Sequence, residues 1–279
     1  MGTTGVQVPV IGQGTWHMGE DPSQRNQEVE ALRLGIELGM TLIDTAEMYA
    51  DGGAERVVAE AIKDCREQVY LVTKVWPSHA DYDGVCRACE GSLKRLGTDW
   101  IDLYLLHWPS AKTPVSETMR AMRRLFEEGK IRAIGVSNFS CALLEEAAAA
   151  LDGAVLQCNQ VSYSLANRVI EKGILPYCIE HGIGVMAYSP LSRGALPTPQ
   201  SPGGRLLAEL ADKYGMSTAQ IALNWIADHE NVIAIPKASR LEHVRENAAA
   251  VERELEAEDK AAIAAAFPVG DGDFVVRRL

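Results

Sequence analysis

Apolar residues fall into two patterns that alternate along the chain. Short runs of β-branched and aliphatic residues occur near Val10-Ile11, at Thr41-Leu-Ile43, Val69-Tyr-Leu-Val-Thr73, Ile101-Asp-Leu-Tyr-Leu-Leu106 and Arg132-Ala-Ile-Gly-Val136. They continue at Val155-Leu-Gln-Cys158, Ile183-Gly-Val-Met-Ala187 and Val232-Ile-Ala-Ile235. Between them, apolar positions return every three or four residues over Gln27–Leu38, Glu55–Ile62, Val85–Leu96, Ser116–Glu128, Ala142–Ala149, Ile174–His181 and Ala219–Ala227. The first pattern predicts strands buried on both faces and the second predicts amphipathic helices. Their alternation implies a parallel sheet in an α/β fold.

An open doubly wound sheet and a closed (β/α)8 barrel both fit that alternation. The open dinucleotide fold calls for G-x-G-x-x-G between its first strand and helix. Gly12-Gln-Gly14 is instead followed by Thr15-Trp-His17, with no third glycine and no helical pattern until about Gln27. A chain of 279 residues suits one TIM barrel of about 250 residues with short additions. The expectation is therefore a single barrel domain over residues 1–279, with its core at about 8–267 and a short tail at 268–279. The Pro/Gly/Ser-rich stretch Ser192–Gly204 follows the seventh strand and reads as an active-site loop.

Functional groups of such a barrel gather at the C-terminal ends of its strands. The first apolar run leads into Gly14-Thr-Trp16, the second ends in Asp44, the third in Lys74 and the fourth in His107. The fifth ends in Ser137-Asn138, the sixth in Asn159-Gln160, the seventh in Tyr188-Ser189 and the eighth in Pro236-Lys237. Turns are polar in any case, so the identities matter more than the polarity.

Asp44, Tyr49, Lys74 and His107 together suggest one chemistry. A phenol with a pKa of about 10 is a poor proton donor at neutrality. An adjacent ammonium lowers that pKa, and a carboxylate keeps the ammonium charged and oriented. A histidine can hold a carbonyl oxygen beside the phenol. No serine or cysteine beside His107 offers a nucleophile, and the six histidines form no metal-binding spacing. A metal-free acid aimed at a carbonyl needs a hydride source, which implies a nicotinamide. A metal-dependent hydrolase would need more His and Asp ligands at strand ends than Asp44 and His107 supply.

Composition adds limits. The formal charge of −11, with no basic tract, argues against nucleic acid and anionic membrane as partners. No signal peptide or membrane-spanning run is visible, and six scattered cysteines need no oxidising compartment. A soluble, cytoplasmic monomer is the expectation. Cys86 and Cys89 have C-x-x-C spacing but lie inside a helical run, where they read as packing residues.

The motifs Gly12-Gln-Gly-Thr-Trp16, Leu42-Ile-Asp-Thr-Ala-Glu-Met-Tyr49, Leu105-Leu-His-Trp-Pro109 and Gly135-Val-Ser-Asn-Phe139 resemble the aldo-keto reductase family. Asn159-Gln160, Ala187-Tyr-Ser-Pro-Leu191 and Ile235-Pro-Lys237 with Asn247 continue the resemblance in family order, from about Val8 to Phe267. The stretch Gly14-Thr-Trp-His-Met-Gly-Glu-Asp21 with Asp44–Gly53 is similar to small bacterial members regarded as methylglyoxal reductases.

The resemblance implies a barrel that binds NADP(H) across its mouth and reduces small aldehydes and ketones. Tyr49 is then the general acid, Lys74 lowers its pKa, Asp44 pairs with Lys74 and His107 orients the carbonyl. Ser137, Asn138 and Gln160 hold the nicotinamide carboxamide, and Tyr188 stacks on its ring. Gly14, Thr15, Trp16 and Asp44 also face the cofactor. Ser189, Leu191, Arg193 and Gly194 cover the pyrophosphate. Ile235, Pro236, Lys237, Ser239, Arg240, His243, Glu246 and Asn247 receive the adenine end, with Lys237 on the 2′-phosphate. Trp16, Tyr49, Trp76, His107 and Trp108 line the substrate pocket. Ala238 stands where the family often has a small hydroxyl residue, and His243 where NADPH-preferring members often have arginine, so NAD(H) stays open as an alternative. A nucleotide-binding, redox-sensing barrel with slow or no turnover is the alternative function. The short segment between Trp108 and Pro114 and the short tail imply an open pocket suited to compact aldehydes.

Overall fold

The computed structural model describes residues 2–279. Eight parallel strands pair in sequence order: β1 (Gln13–Gly14), β2 (Leu42–Asp44), β3 (Tyr70–Val75), β4 (Leu103–Leu106), β5 (Ile134–Ser137), β6 (Leu156–Ser162), β7 (Gly184–Tyr188) and β8 (Val232–Ala234). Parallel bridges from Ile11 to Ala234 and from Gly14 to Lys237 join β8 back to β1. The Gly12 and Gly14 amides donate across this seam to the Ala234 and Pro236 carbonyls at 2.8 and 3.0 Å. The sheet is thus closed into the barrel expected from the chain's length and from the missing third glycine after Gly12-Gln-Gly14.

Among the described residues ten α-helices surround it: α1 (Arg25–Glu37), α2 (Gly53–Ile62), α3 (Tyr82–Leu96), α4 (Val115–Glu127), α5 (Cys141–Ala150), α6 (Ile174–Glu180), α7 (Pro202–Tyr214), α8 (Thr218–Ala227), α9 (Leu241–Ala248) and α10 (Ala257–Ala266). Leu42, Val72, Leu103, Leu105, Cys158, Met186 and Ile233 fill the barrel interior, and a larger apolar layer packs helices on its outside. Strand residues alternate between these layers, which is why the strands read as continuous apolar runs. Two glycines are required by close approach. A Cβ on Gly14 would lie 2.8 Å from the Ile235 carbonyl oxygen, closing off the β1–β8 seam, and one on Gly135 would lie 2.4 Å from Leu105 where β5 shifts register against β6.

Three differences from the sequence reading have local causes. Residues 202–204 belong to α7, not to the mouth loop. Ser201 caps that helix by accepting from the Gly204 amide at 3.0 Å, and Pro202 occupies its first turn, where no N–H is needed. Helix α10 (AEDKAAIAAA) has no apolar stripe to betray it, because Ile263 is its one buried residue and its alanines are half-buried or exposed. Strand β6 runs past Cys158 to Ser162, so Asn159 and Gln160 lie inside a strand. Asn159 satisfies its amide on the Phe139 backbone, while Gln160, on the opposite face, points toward Asp44.

Among the described residues no helix is long and apolar enough to cross a membrane, and no group of His, Cys, Asp or Glu could hold a metal ion. Cys86 and Cys89 both lie within α3, and burial pushes the Cys89 thiol up to about 12.

Candidate active site

One cleft of about 760 Å³ opens at the C-terminal ends of the strands. At its floor the Lys74 ammonium, with no solvent exposure, sits between three acceptors. It donates to Asp44 Oδ2 at 2.8 Å, to the Thr45 carbonyl at 2.7 Å and to the Tyr49 hydroxyl at 3.4 Å. Three donors meet three acceptors, so the amine is oriented by saturation of its hydrogen bonds. Asp44 ends β2 and Lys74 lies one residue before the end of β3; the other carboxylate oxygen, Oδ1, accepts from Gln160 Nε2 at 2.7 Å. Burial alone would penalise the ammonium, but Asp44 and the Tyr49 oxygen outweigh it and hold the Lys74 pKa above the ordinary lysine value.

Lys74 pulls the Tyr49 pKa down, as the sequence reading has it, but the net direction is upward. Burial raises its pKa, and Lys74 only partly offsets that rise. The phenol is therefore fully protonated near neutrality, and Lys74 does not bring it below its usual range. His107, just beyond β4, stands edge-on to Tyr49 and to Trp76 with ring centroids 5.7 and 5.2 Å away. Burial, helped by the Lys74 charge, keeps its imidazole pKa well below the usual value, so the ring is neutral. Its Nδ1 is sealed from solvent and has no partner.

Trp16, Trp76 and Trp108 stand around this floor. The Trp76 amide donates to Glu47 at 2.7 Å, which fixes the backbone that carries the indole. Trp16 lies between the His17 ring, 3.9 Å away between centroids, and the Arg193 guanidinium, 4.7 Å from the indole centre. The cleft runs from the tryptophans past Ser137, Asn138, Gln160 and Tyr188 to Ser189, Leu191, Arg193 and Gly194. It ends among Ile235, Pro236, Lys237, Ser239, Arg240, His243, Glu246 and Asn247, with Gly14 and Thr15 on its inner wall. Every residue singled out for the site in the sequence borders this one cleft except Lys74, which is buried against Asp44 and Tyr49.

The polar groups along the cleft differ in how far they are committed. Ser137 donates to the Gln160 carbonyl at 2.8 Å, and Asn138 bridges the His107 carbonyl and the Tyr188 hydroxyl at 3.2 and 3.0 Å. Asn247, at 5% exposure, makes no hydrogen bond through its carboxamide among the described residues. Among the described residues the Lys237 ammonium makes one hydrogen bond, to the Ser239 hydroxyl at 3.2 Å, and no carboxylate pairs with Lys237 or Arg193. Cations without carboxylate partners and a buried amide without a hydrogen bond, in one groove, are the donor set that a phosphate-bearing nucleotide needs. His243 is crowded by acids, with Glu246 at 3.4 Å and Glu242 at 3.9 Å.

Backbone strain gathers at the same place. Seven of the nine non-glycine residues with positive φ are His17, Ala50, Asp51, Asn138, Ser189, Ser192 and Arg193, all in the loops of the mouth. Each costs on the order of 1 kcal/mol or more, which is tolerated where loop shape is fixed by function.

His17, Met48, Ala219, Arg277 and Leu279 also line the cleft and were not foreseen in the sequence. His17 and Met48 are direct neighbours of Trp16 and Tyr49, so chain adjacency was an available signal. The tail, though short, reaches the mouth: Leu279 exchanges backbone hydrogen bonds with Pro109 and Ala111, both at 3.0 Å.

The aldo/keto reductase family model matches residues 10–267. The chain is similar to methylglyoxal reductase YeaE of Escherichia coli, with 48% identity over 96% of this chain and 94% of that one. It is also similar to glyoxal reductase of Bacillus subtilis, with 36% identity over 91% and 87% of the two chains. A crystal structure of an aldo/keto reductase from Klebsiella pneumoniae in complex with NADP and acetate superposes with a TM-score of 0.89 at 45% identity, covering 98% of this chain and 96% of that one. Agreement that runs nearly from end to end, in sequence and in fold, leads to one conclusion: the chain belongs to the aldo/keto reductase family.

Proposed function

We propose that this protein reduces small aldehydes and ketones to alcohols with NADPH, Tyr49 giving the proton to the carbonyl oxygen. The observation that carries this reading is the phenol held 3.4 Å from a fully buried ammonium at the floor of a cleft of about 760 Å³. Arg193, Lys237, Arg240 and Asn247 would hold the phosphates and adenine end, and Gln160, Ser137 and Asn138 the carboxamide. The bound nicotinamide supplies the hydride. Relatives named methylglyoxal reductase and glyoxal reductase, and a neighbour bound to NADP, support the same assignment.

The chain's own residues divide the remaining work. With the imidazole neutral and its Nδ1 buried without a partner, the lower-cost tautomer leaves a bare lone pair there and puts the proton on Nε2. His107 then offers the cleft an N–H that positions the carbonyl oxygen beside Tyr49. As negative charge develops on that oxygen, the Tyr49 hydroxyl transfers its proton to it, and the resulting phenolate forms next to Lys74. The ammonium matters most after the transfer: it stabilises a buried phenolate that burial alone disfavours. The three tryptophans give the substrate apolar walls and exclude water.

The deciding experiment is a steady-state panel of aldehydes and ketones run with NADPH and with NADH. Short aldehydes and 2-oxoaldehydes are expected to exceed bulky polycyclic ketones in kcat/KM. Tight NADPH binding with no turnover on any carbonyl would instead favour a nucleotide-sensing barrel. Within the same panel, Lys237→Ala is expected to raise KM for NADPH about ten- to hundredfold, the worth of one charge-assisted contact, and to change that for NADH far less. Equal changes for both cofactors would remove the 2′-phosphate from Lys237.

A further inference from the structure

The overall charge of −11 makes this protein's field unfavourable to anionic substrates unless a local cation compensates. Arg277 is a cation of the cleft that the nucleotide assignment above does not use. Leu279 is pinned by two backbone hydrogen bonds to Pro109 and Ala111, in the loop that begins with His107 and Trp108. Two residues reach at most about 7 Å, so Arg277 is held close to that loop. Its side chain lines the cleft together with Trp16, Tyr49 and Trp108. Among the described residues no carboxylate pairs with it. The neighbouring Arg278, by contrast, turns toward the Ser110 carbonyl at 3.5 Å.

Tyr188 lines the same cleft. Burial raises the Tyr188 phenol, and Arg193 and Arg277 are the two cations near enough to pull it back. Arg193 is already stacked on Trp16. Arg277, carried on the docked tail, shares the cleft with Tyr188, and among the described residues no hydrogen bond or ion pair engages its guanidinium.

We propose that Arg277 is a specificity-determining residue that binds a carboxylate carried by the carbonyl substrate, so that the preferred substrates are aldehydes and ketones bearing an acid group. This rests on the reductase reading above and narrows its substrate class. The chemistry is that of a planar guanidinium, which takes a carboxylate through two parallel N–H donors and fixes the orientation of the molecule behind it. A substrate so held would lie with its apolar part along the tryptophans and its carbonyl toward Tyr49 and His107. The bound form of the tail then completes the substrate site and not merely its rim.

The test compares 4-formylbenzoate with 4-formylbenzamide, which are nearly the same size and differ in charge. Taking the ratio of their kcat/KM values within each variant cancels intrinsic reactivity between variants. Arg277→Gln is expected to lower the benzoate-to-benzamide ratio about ten- to hundredfold, or about 1.4–2.8 kcal/mol at 1.4 kcal/mol per decade. Arg277→Lys, which keeps the charge but loses the fork, should retain a large part of the preference. A ratio that stays within about twofold of wild type in Arg277→Gln overturns the proposal. So does a Kd for NADPH that rises in parallel with the loss, because Arg277 would then serve the cofactor.

A second measurement separates this proposal from the reductase reading. Benzoate and benzamide are titrated calorimetrically into the NADP⁺-loaded protein, without turnover. Benzoate should bind more tightly than benzamide to the wild type, and Arg277→Gln should abolish the difference. If the wild type reduces no aldehyde yet shows that difference, the reductase reading fails and the carboxylate site stands. Equal binding of benzoate to both variants overturns the carboxylate site even in an active enzyme.

Discussion

Tyr49→Phe is expected to cut kcat for aldehyde reduction by about 10²–10⁴-fold, the usual worth of a positioned general acid, while leaving the Kd for NADPH nearly unchanged. The substitution removes one oxygen and keeps the ring, so the edge-on contact with His107 survives. The lost hydrogen bond to Lys74 is the longest of that amine's three, at 3.4 Å, and the two stronger acceptors remain to hold it. Fold and cofactor groove should therefore persist, and the defect should fall on the proton-transfer step. Stopped-flow oxidation of NADPH, with fluorescence titration of the cofactor, reads the two quantities separately. A variant that keeps most of its kcat would remove Tyr49 as the proton donor; one that loses NADPH binding would show that the hydroxyl has a structural role instead.

What the sequence disclosed follows from how local each feature is. Barrel strands buried on both faces leave unbroken apolar runs, and the residue that follows each run marks the mouth. Asp44, His107, Ser137 and Tyr188 could be placed on that basis because each lies within one residue of its strand end. Gln160 was harder to place, because β6 continues beyond it and only strand alternation turns it toward Asp44. Helix α10 was hidden by its alanines, and α7 by the glycines and proline at its start.

Two site features had no local signal at all. The net direction of the Tyr49 pKa depends on how deeply the phenol is buried, and residue identities name the groups without giving their desolvation. Motif reasoning correctly put a cation beside a phenol, but the balance between burial and charge requires coordinates. Arg277 was invisible for a different reason. Its place in the cleft comes from the tail docking against Pro109 and Ala111, a contact between segments some 170 residues apart that leaves no periodicity or spacing in the sequence.

The same balance of burial and charge leads to the largest expected effect on stability. Lys74→Met removes the ammonium but keeps a side chain of similar length, leaving the Asp44 carboxylate at 3% exposure with Gln160 as its remaining side-chain donor. Breaking one side of a buried ion pair costs about 3–5 kcal/mol, because the surviving charge has neither partner nor water. At about 2–4 °C per kcal/mol for a chain approaching this size, the midpoint of thermal unfolding should fall by roughly 10 °C. Asp44→Asn in the Lys74→Met background removes the stranded charge and should restore more than half of the lost stability, since the two substitutions share one interaction. Activity should not return with it. The phenolate left by proton transfer would still form in a buried site with no cation beside it, so both variants should remain about 10²-fold or more below wild type. Thermal unfolding and single-turnover kinetics on the two variants decide between the roles. A single variant within about 1 kcal/mol of wild type would mean that the pair contributes little to the fold. A double variant with recovered turnover would mean that Lys74 matters to Tyr49 only through Asp44, and that the phenolate needs no ammonium.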